Sequence, residues 1–108
     1  MATLPETIKY VKGKFILIAT VTAKEGKADE LQKHLAAVRE VANSSQEPGT
    51  LTYRTARGFG EESNKFVVVE EYENPAVLAH HASSAQYLAL KESGVAAEIS
   101  IALFDEFQ

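Results

Sequence analysis

The chain has 108 residues, 45% of them apolar and 8% aromatic, and at roughly 100 to 200 residues per domain this leaves room for one domain with an ordinary core. It contains no cysteine, which excludes disulfides, thiolate nucleophiles, Cys-ligated zinc and iron–sulfur clusters. The 11 Lys+Arg against 15 Asp+Glu give a formal charge of −4 without the basic stripe that phosphate contacts require, so nucleic acid is not an expected partner.

The N-terminus lacks a secretory signal pattern, and no stretch approaches the roughly 18 apolar residues of a membrane span. The expectation is a soluble cytoplasmic protein with no membrane partner, in which the sequon Asn43-Ser44-Ser45 has no route to glycosylation. Residues 1–13 contain Pro5 and Gly13 and no clear period. They read as an N-terminal arm that is ordered only if it docks, preceding a single domain over 14–108.

Phe15-Ile-Leu-Ile-Ala-Thr-Val-Thr22 is an apolar, β-branched run bounded by Gly13 and Gly26, the pattern of a strand buried on both faces. From Lys27 the period changes. Leu31, Leu35, Val38 and Ala42 share one side and Lys27, Glu30, Lys33 and Glu40 the other, which predicts an amphipathic helix ending near Gln46, ahead of Pro48 and Gly49. Thr50 to Ala56 alternates, with Leu51, Tyr53 and Thr55 on one face and Thr52 and Arg54 on the other, and so predicts a second strand. The turn residues of 58–64 and the β-rich run Lys65 to Tyr72 complete a hairpin. Asn74-Pro75 supplies an N-cap and first helical position. A short helix to about Ala82, another over Ser84 to Ser93 closed by Gly94, and a strand from Ile99 to Phe104 follow.

The order βα-β-βα-β predicts an α+β fold: a ferredoxin-like split βαβ with a four-stranded antiparallel sheet and helices on one face. Both parities of Phe15 to Val21 and of Phe66 to Val69 are apolar, too much for a solvated sheet face. A second copy of the same face is the simplest cover, so a homodimer formed sheet to sheet is expected.

Together, the strand Phe15 to Thr22, the segment Glu47-Pro-Gly-Thr-Leu-Thr-Tyr53, the strand Phe66-Val-Val-Val-Glu-Glu-Tyr72 and Asn74-Pro-Ala-Val-Leu-Ala-His-His-Ala-Ser-Ser-Ala-Gln-Tyr87 resemble the antibiotic biosynthesis monooxygenase family over about residues 14 to 105. The resemblance implies a dimeric α+β barrel. It also implies site positions at Glu70, Tyr72, His81 and Tyr87, and a cofactor-independent monooxygenase acting on a phenolic, hydroquinone or enolisable polyketide-like substrate with O2. A substrate that becomes an electron-rich phenolate can itself reduce oxygen, leaving the protein to deprotonate, orient and exclude water. Haem-degrading relatives rely on a tryptophan, which this chain lacks. The alternatives on the same scaffold are a cofactor-free isomerase or tautomerase and a non-catalytic dimer that binds a small molecule.

His81 shares a helix face with Val77 and Leu78 and is the first candidate for a catalytic base, against the plainer reading of a histidine that ties helix to strand. Glu70 shares its strand parity with Phe66, Val68 and Tyr72. A carboxyl on such a face has a raised pKa unless paired, which suits a base, and it reads equally as a structural hydrogen-bonding group. Tyr53, Tyr72, Tyr87 and Phe66 are candidates for an aromatic substrate pocket or for plain core. Arg54, or Arg57, is a candidate for holding an oxyanion or an exposed hairpin arginine. His34 reads as partly buried structure and His80 as solvent-facing. Adjacent His80 and His81 point about 100° apart on a helix, so no metal site is expected.

Overall fold

The computed structural model describes residues 4–108. Its elements run β1 (Phe15–Ala23), α1 (Ala28–Ala42), β2 (Thr50–Arg57), β3 (Lys65–Tyr72), α2 (Pro75–His81), α3 (Ala85–Ser93) and β4 (Ala96–Phe104), with 3-10 turns at Glu6–Tyr10 and Gly60–Glu62. The strands form one antiparallel sheet in the order β2-β3-β1-β4, the ferredoxin-like arrangement that the split βαβ pattern dictates.

The period of two in β1 buries Phe15, Leu17, Ala19, Val21 and Ala23 on the helix side. Leu31, Leu35, Val38 and Ala42 of α1 pack onto them with Phe66, Val68 and Tyr72 of β3. Leu31 and Val38 are fully buried, so truncating Leu31 to Ala costs about 2 to 5 kcal/mol in lost transfer energy and cavity. The opposite face is less enclosed than the run of apolar residues in β1 suggests. In the single chain Ile16 and Ile18 are half-buried, and Thr20, Val67 and Phe104 are exposed.

Three boundaries differ from the sequence reading for local reasons. First, α1 stops at Ala42, because Ser44 Oγ donates to the Val41 carbonyl at 2.6 Å and accepts from Gln46 N–H at 3.2 Å. A short hydroxyl side chain there competes with continuation of the helix. Second, β2 carries a bulge: Thr50 pairs with Tyr72 and Thr52 with Glu71, leaving Leu51 as the extra residue. Leu51 is therefore exposed instead of sharing the inner face with Tyr53, and Thr50 is buried in its stead. Third, β4 begins at Ala96, ahead of Ile99.

Of the N-terminal segment, residues 1–3 lie outside the described residues and the part from Glu6 onward docks. Its 3-10 turn sets Ile8, with Val11 following, against the core. Short connections fix the helices that follow β3. Asn74 Oδ1 accepts from Val77 N–H at 3.2 Å and Ser84 Oγ from Tyr87 N–H at 3.1 Å, capping α2 and α3. Gly94 ends α3 at φ +68°, a left-handed position that glycine adopts without steric cost.

Candidate functional site

Between the sheet and the α2–α3 layer lies a cavity of about 470 Å³. Leu17, Ala19 and Val21 of β1, Val68 of β3 and Ile99 and Ile101 of β4 supply its apolar floor, and Leu4 and Ile8 of the N-terminal segment border it. Its polar groups include Glu70, Tyr53, His81 and Tyr87. Strand register explains how two of them meet: Tyr53 pairs with Glu70, and Glu70 with Leu17, in one row across the inner face.

His81 is delivered from above as the last residue of α2, 2% exposed. Three tyrosine rings surround it, with centroids at 5.2 Å (Tyr53), 5.7 Å (Tyr72) and 5.6 Å (Tyr87). Two carboxyl groups approach it on different sides. Glu47 Oε1 lies 2.7 Å from His81 Nδ1 and accepts the Thr50 hydroxyl at 3.0 Å; Glu70 Oε1 lies 4.0 Å from Nε2. Tyr72 donates its hydroxyl to that same Glu70 oxygen.

The segment bearing Glu47 is held on several sides. Its backbone accepts from Thr50 N–H at 3.0 Å, Gly49 accepts from Glu73 N–H at 3.0 Å, and the His80 Nε2–H donates to the Gln46 carbonyl at 3.0 Å. Neighbouring histidines of one helix thus grip neighbouring residues of one loop. Gly49 is required there by space, since a Cβ would stand 2.4 Å from Val77 Cγ2.

Burial sets the electrostatics. It pushes the Glu70 carboxyl up to about 7, with the Glu47 charge adding to the rise and the Tyr72 hydrogen bond opposing it. It lowers His81 below the ordinary imidazole value, opposed by the Glu47 carboxylate. It raises the Tyr53, Tyr72 and Tyr87 hydroxyls, the Glu70 charge adding in each case. At neutral pH the site therefore holds an uncharged imidazole, a carboxyl poised between its forms, and phenols that stay protonated. Such a set has the chemistry to take a proton from a weakly acidic group and to offer hydroxyl donors to the resulting anion.

Of the candidates read from sequence, the fold brings His81, Glu70, Tyr53 and Tyr87 together on the cavity wall. Tyr72 stands behind them, fully buried and in contact with the site through Glu70. Phe66 lines a different groove, between α1 and β2, under the Arg57 guanidinium at 5.2 Å. Arg54 is exposed, paired with Val69. Arg57 is engaged elsewhere, donating to Asp29 at 2.9 Å, Gln32 at 2.8 Å and the Ser63 carbonyl at 2.6 Å. His34 is half-buried on α1. Among the described residues, no group of three or more His, Asp or Glu is placed to hold a metal ion, and no helix is long and apolar enough to cross a membrane.

Glu47, which opens a segment carrying the family resemblance, and Thr50 are buried polar residues that the sequence reading did not single out as site candidates. A glutamate before Pro-Gly looks like a solvated turn residue, and its partner His81 lies 34 positions away. No local pattern marks it.

Residues 14–93 match the family model described as antibiotic biosynthesis monooxygenase. The chain belongs to this family. No curated protein matches it. Among solved structures, a Pseudomonas aeruginosa protein superposes with a TM-score of 0.80 at 23% identity, covering 90% of this chain and 97% of that one. A proposed antibiotic biosynthesis monooxygenase from Caulobacter crescentus gives 0.75 at 24% identity, with 90% and 92% covered. Another from Nitrosomonas europaea gives 0.76 at 19%, with 88% and 92% covered. At these identities the likeness establishes a shared fold, and family membership places the chain among monooxygenase-like proteins.

Proposed function

We propose that this protein is a cofactor-independent monooxygenase that inserts one atom of O2 into a phenolic, hydroquinone or enolisable polyketide-like substrate. The observation that carries the reading is the pairing of His81 and Glu70, 4.0 Å apart, on the wall of a largely apolar cavity. The apolar floor of β1 and β4 suits a flat aromatic body. The polar end takes its ionisable group.

His81 or Glu70 removes a proton from the substrate, and the phenolate or carbanion that forms is the reductant. Its electrons pass to O2 and a C–O bond forms, giving a peroxide on the substrate carbon. Loss of a second proton from that carbon breaks the O–O bond, leaving a carbonyl and releasing the other oxygen as water. For a methylene carbon the balance is CH2 + O2 → C=O + H2O, with no external reductant. The protein's contribution is proton removal in a low-dielectric site, hydroxyl donors from Tyr53 and Tyr87 toward the developing anion, and exclusion of bulk water.

The half-buried Ile16 and Ile18 with the exposed Val67 and Phe104 support a homodimer through the helix-free sheet face, with one cavity in each protomer. The test of function is oxygen uptake by metal-stripped protein with hydroquinones and anthrone-type phenols, corrected for autoxidation. Saturable uptake is expected. Carbonyl migration without uptake would replace the reading with an isomerase, and binding without turnover would replace it with a non-catalytic dimer.

A further inference from the structure

We infer that Glu47 is a positioning residue that holds His81 in a single neutral tautomer, with the proton on Nδ1 and the lone pair on Nε2 turned toward Glu70. The hydrogen-bond inventory around Glu47 decides the direction. Oε1 lies 2.7 Å from His81 Nδ1 and also receives the Thr50 hydroxyl at 3.0 Å, whereas the buried Oε2 has no partner among the described residues. A proton on Oε2 would be a buried donor without an acceptor, and one on Oε1 would leave the ring's own proton on Nε2, whose nearest carboxylate oxygen, Glu70 Oε1, stands 4.0 Å away, beyond hydrogen-bond reach. A buried donor left without an acceptor is costly, because it gives up its bond to water and gains none in return. The arrangement that leaves every proton accepted places Nδ1–H on the imidazole, pointing at Glu47 Oε1.

The consequence appears at the other ring nitrogen. With Nδ1 protonated, the neutral ring has one acceptor, Nε2, and that atom faces the Glu70 side of the site. An imidazole free to choose would place its proton on either nitrogen, and the Nε2–H form carries its lone pair on Nδ1, facing Glu47 and turned away from the Glu70 side of the site. The groups that face His81 are Glu47 from the loop before β2, Tyr53 from β2, Glu70 and Tyr72 from β3, Tyr87 from α3, and its neighbour His80 on α2. Glu47 is the one within hydrogen-bond distance of Nδ1. The bulge in β2 adds a second donor to the same oxygen, because it turns the Thr50 hydroxyl inward to the carboxylate. The inward turn of Thr50 follows from the extra residue, Leu51, and cannot arise in a regular strand.

The tautomer is a property of the protein alone; its kinetic effect rests on the proton-transfer reading of the site. The test is long-range 1H–15N correlation NMR of the full chain at pH 8, with the His81 signals assigned by their loss in His81→Gln. A bare ring nitrogen resonates far downfield of a protonated one, so the two tautomers are distinguishable directly. Wild type is expected to show protonated Nδ1 and bare Nε2. Thr50→Val is expected to keep that pattern, and Glu47→Leu to give the opposite tautomer or a mixture.

Dominant Nε2–H in the wild type would overturn the inference, as would an unchanged pattern in a folded Glu47→Leu chain. Should Glu47→Leu fail to fold, the wild-type spectrum still decides. If a substrate is in hand, Glu47→Leu should lower kcat about 10- to 100-fold, as loss of an orienting partner does elsewhere, with KM within about twofold. Protonated Nδ1 without any oxygen uptake would remove the monooxygenase reading and leave the positioning role standing.

Discussion

The cavity has two walls of different character. One carries His81, Glu70, Tyr53 and Tyr87; the other is apolar, with Leu17, Ala19, Val21 and Val68 of the sheet joined by Leu4 and Ile8 of the N-terminal segment and Ile99 and Ile101 of β4. The first wall lies wholly within residues 14–93, the span that matches the family, and the second draws on residues both inside and outside it. The first is held by hydrogen bonds and a bulge, the second by aliphatic packing in which Ile8, Ile99 and Ile101 are half-buried and Leu4 is exposed. Part of the apolar surface of the cavity is thus contributed by segments outside the matched span.

Altering the polar wall is expected to have the largest effect. Glu70→Gln should lower kcat by about two orders of magnitude or more, the usual contribution of a placed acid or base, measured by oxygen uptake once a substrate is found. The same variant reports on stability. The folded-state pKa of Glu70 is raised from 4.5 to about 7, so the native state holds the proton more tightly than the unfolded chain does. The resulting stability is full below about pH 4.5 and is lost as pH rises through about 7. At pH 8 Glu70→Gln should therefore be more stable than wild type by about 3 kcal/mol, at roughly 1.4 kcal/mol per pKa unit, with little difference near pH 4. Denaturant titrations at the two pH values check it, and equal gains at both would contradict a raised pKa. His81 works in the other direction: its lowered pKa makes protonation below pH 6.5 favour the unfolded chain.

A smaller effect is expected where the walls are joined to the scaffold. Gly49→Ala drives a Cβ into Val77 Cγ2, and α2 must move away from the loop that carries Glu47. Overpacking of this kind costs about 1 to 3 kcal/mol. Both the melting temperature and the His81 tautomer should respond, whereas Gly13→Ala, with nothing within 4 Å of its Cβ, should change neither.

The apolar wall should give the smallest effect. Ile8→Ala removes part of a half-buried side chain, worth about 1 kcal/mol or about fivefold in binding. It should appear in KM or in the affinity for an apolar fluorescent probe, with kcat unchanged. A loss confined to kcat would show that the arm takes part in chemistry and erase the distinction between the walls.

Most of the fold was legible because each element carries its own period and punctuation. The alternation of β1, the stripe Leu31-Leu35-Val38 and the Asn74-Pro75 start of α2 are local signals, and local signals survive in sequence. His81 and Glu70 were legible for a related reason, since a titratable group on an apolar face is conspicuous. Glu47 was not, because its burial is decided by a turn that folds it under a helix 34 residues further on. The inward turn of Thr50 was missed for the same cause: strict alternation places Leu51 inside, and only pairing with β3 reveals the extra residue. Arg54 and Phe66 are ordinary candidates by residue type, and three-dimensional placement alone separates them from the cavity.

The measurement that tests the central claim most directly is oxygen consumption by metal-stripped protein across a panel of hydroquinones and anthrone-type phenols, with His81→Ala alongside. The account predicts saturable uptake, one O2 per quinone formed, that falls to the autoxidation background in the variant. Uptake that persists undiminished in folded His81→Ala would contradict the site assigned here.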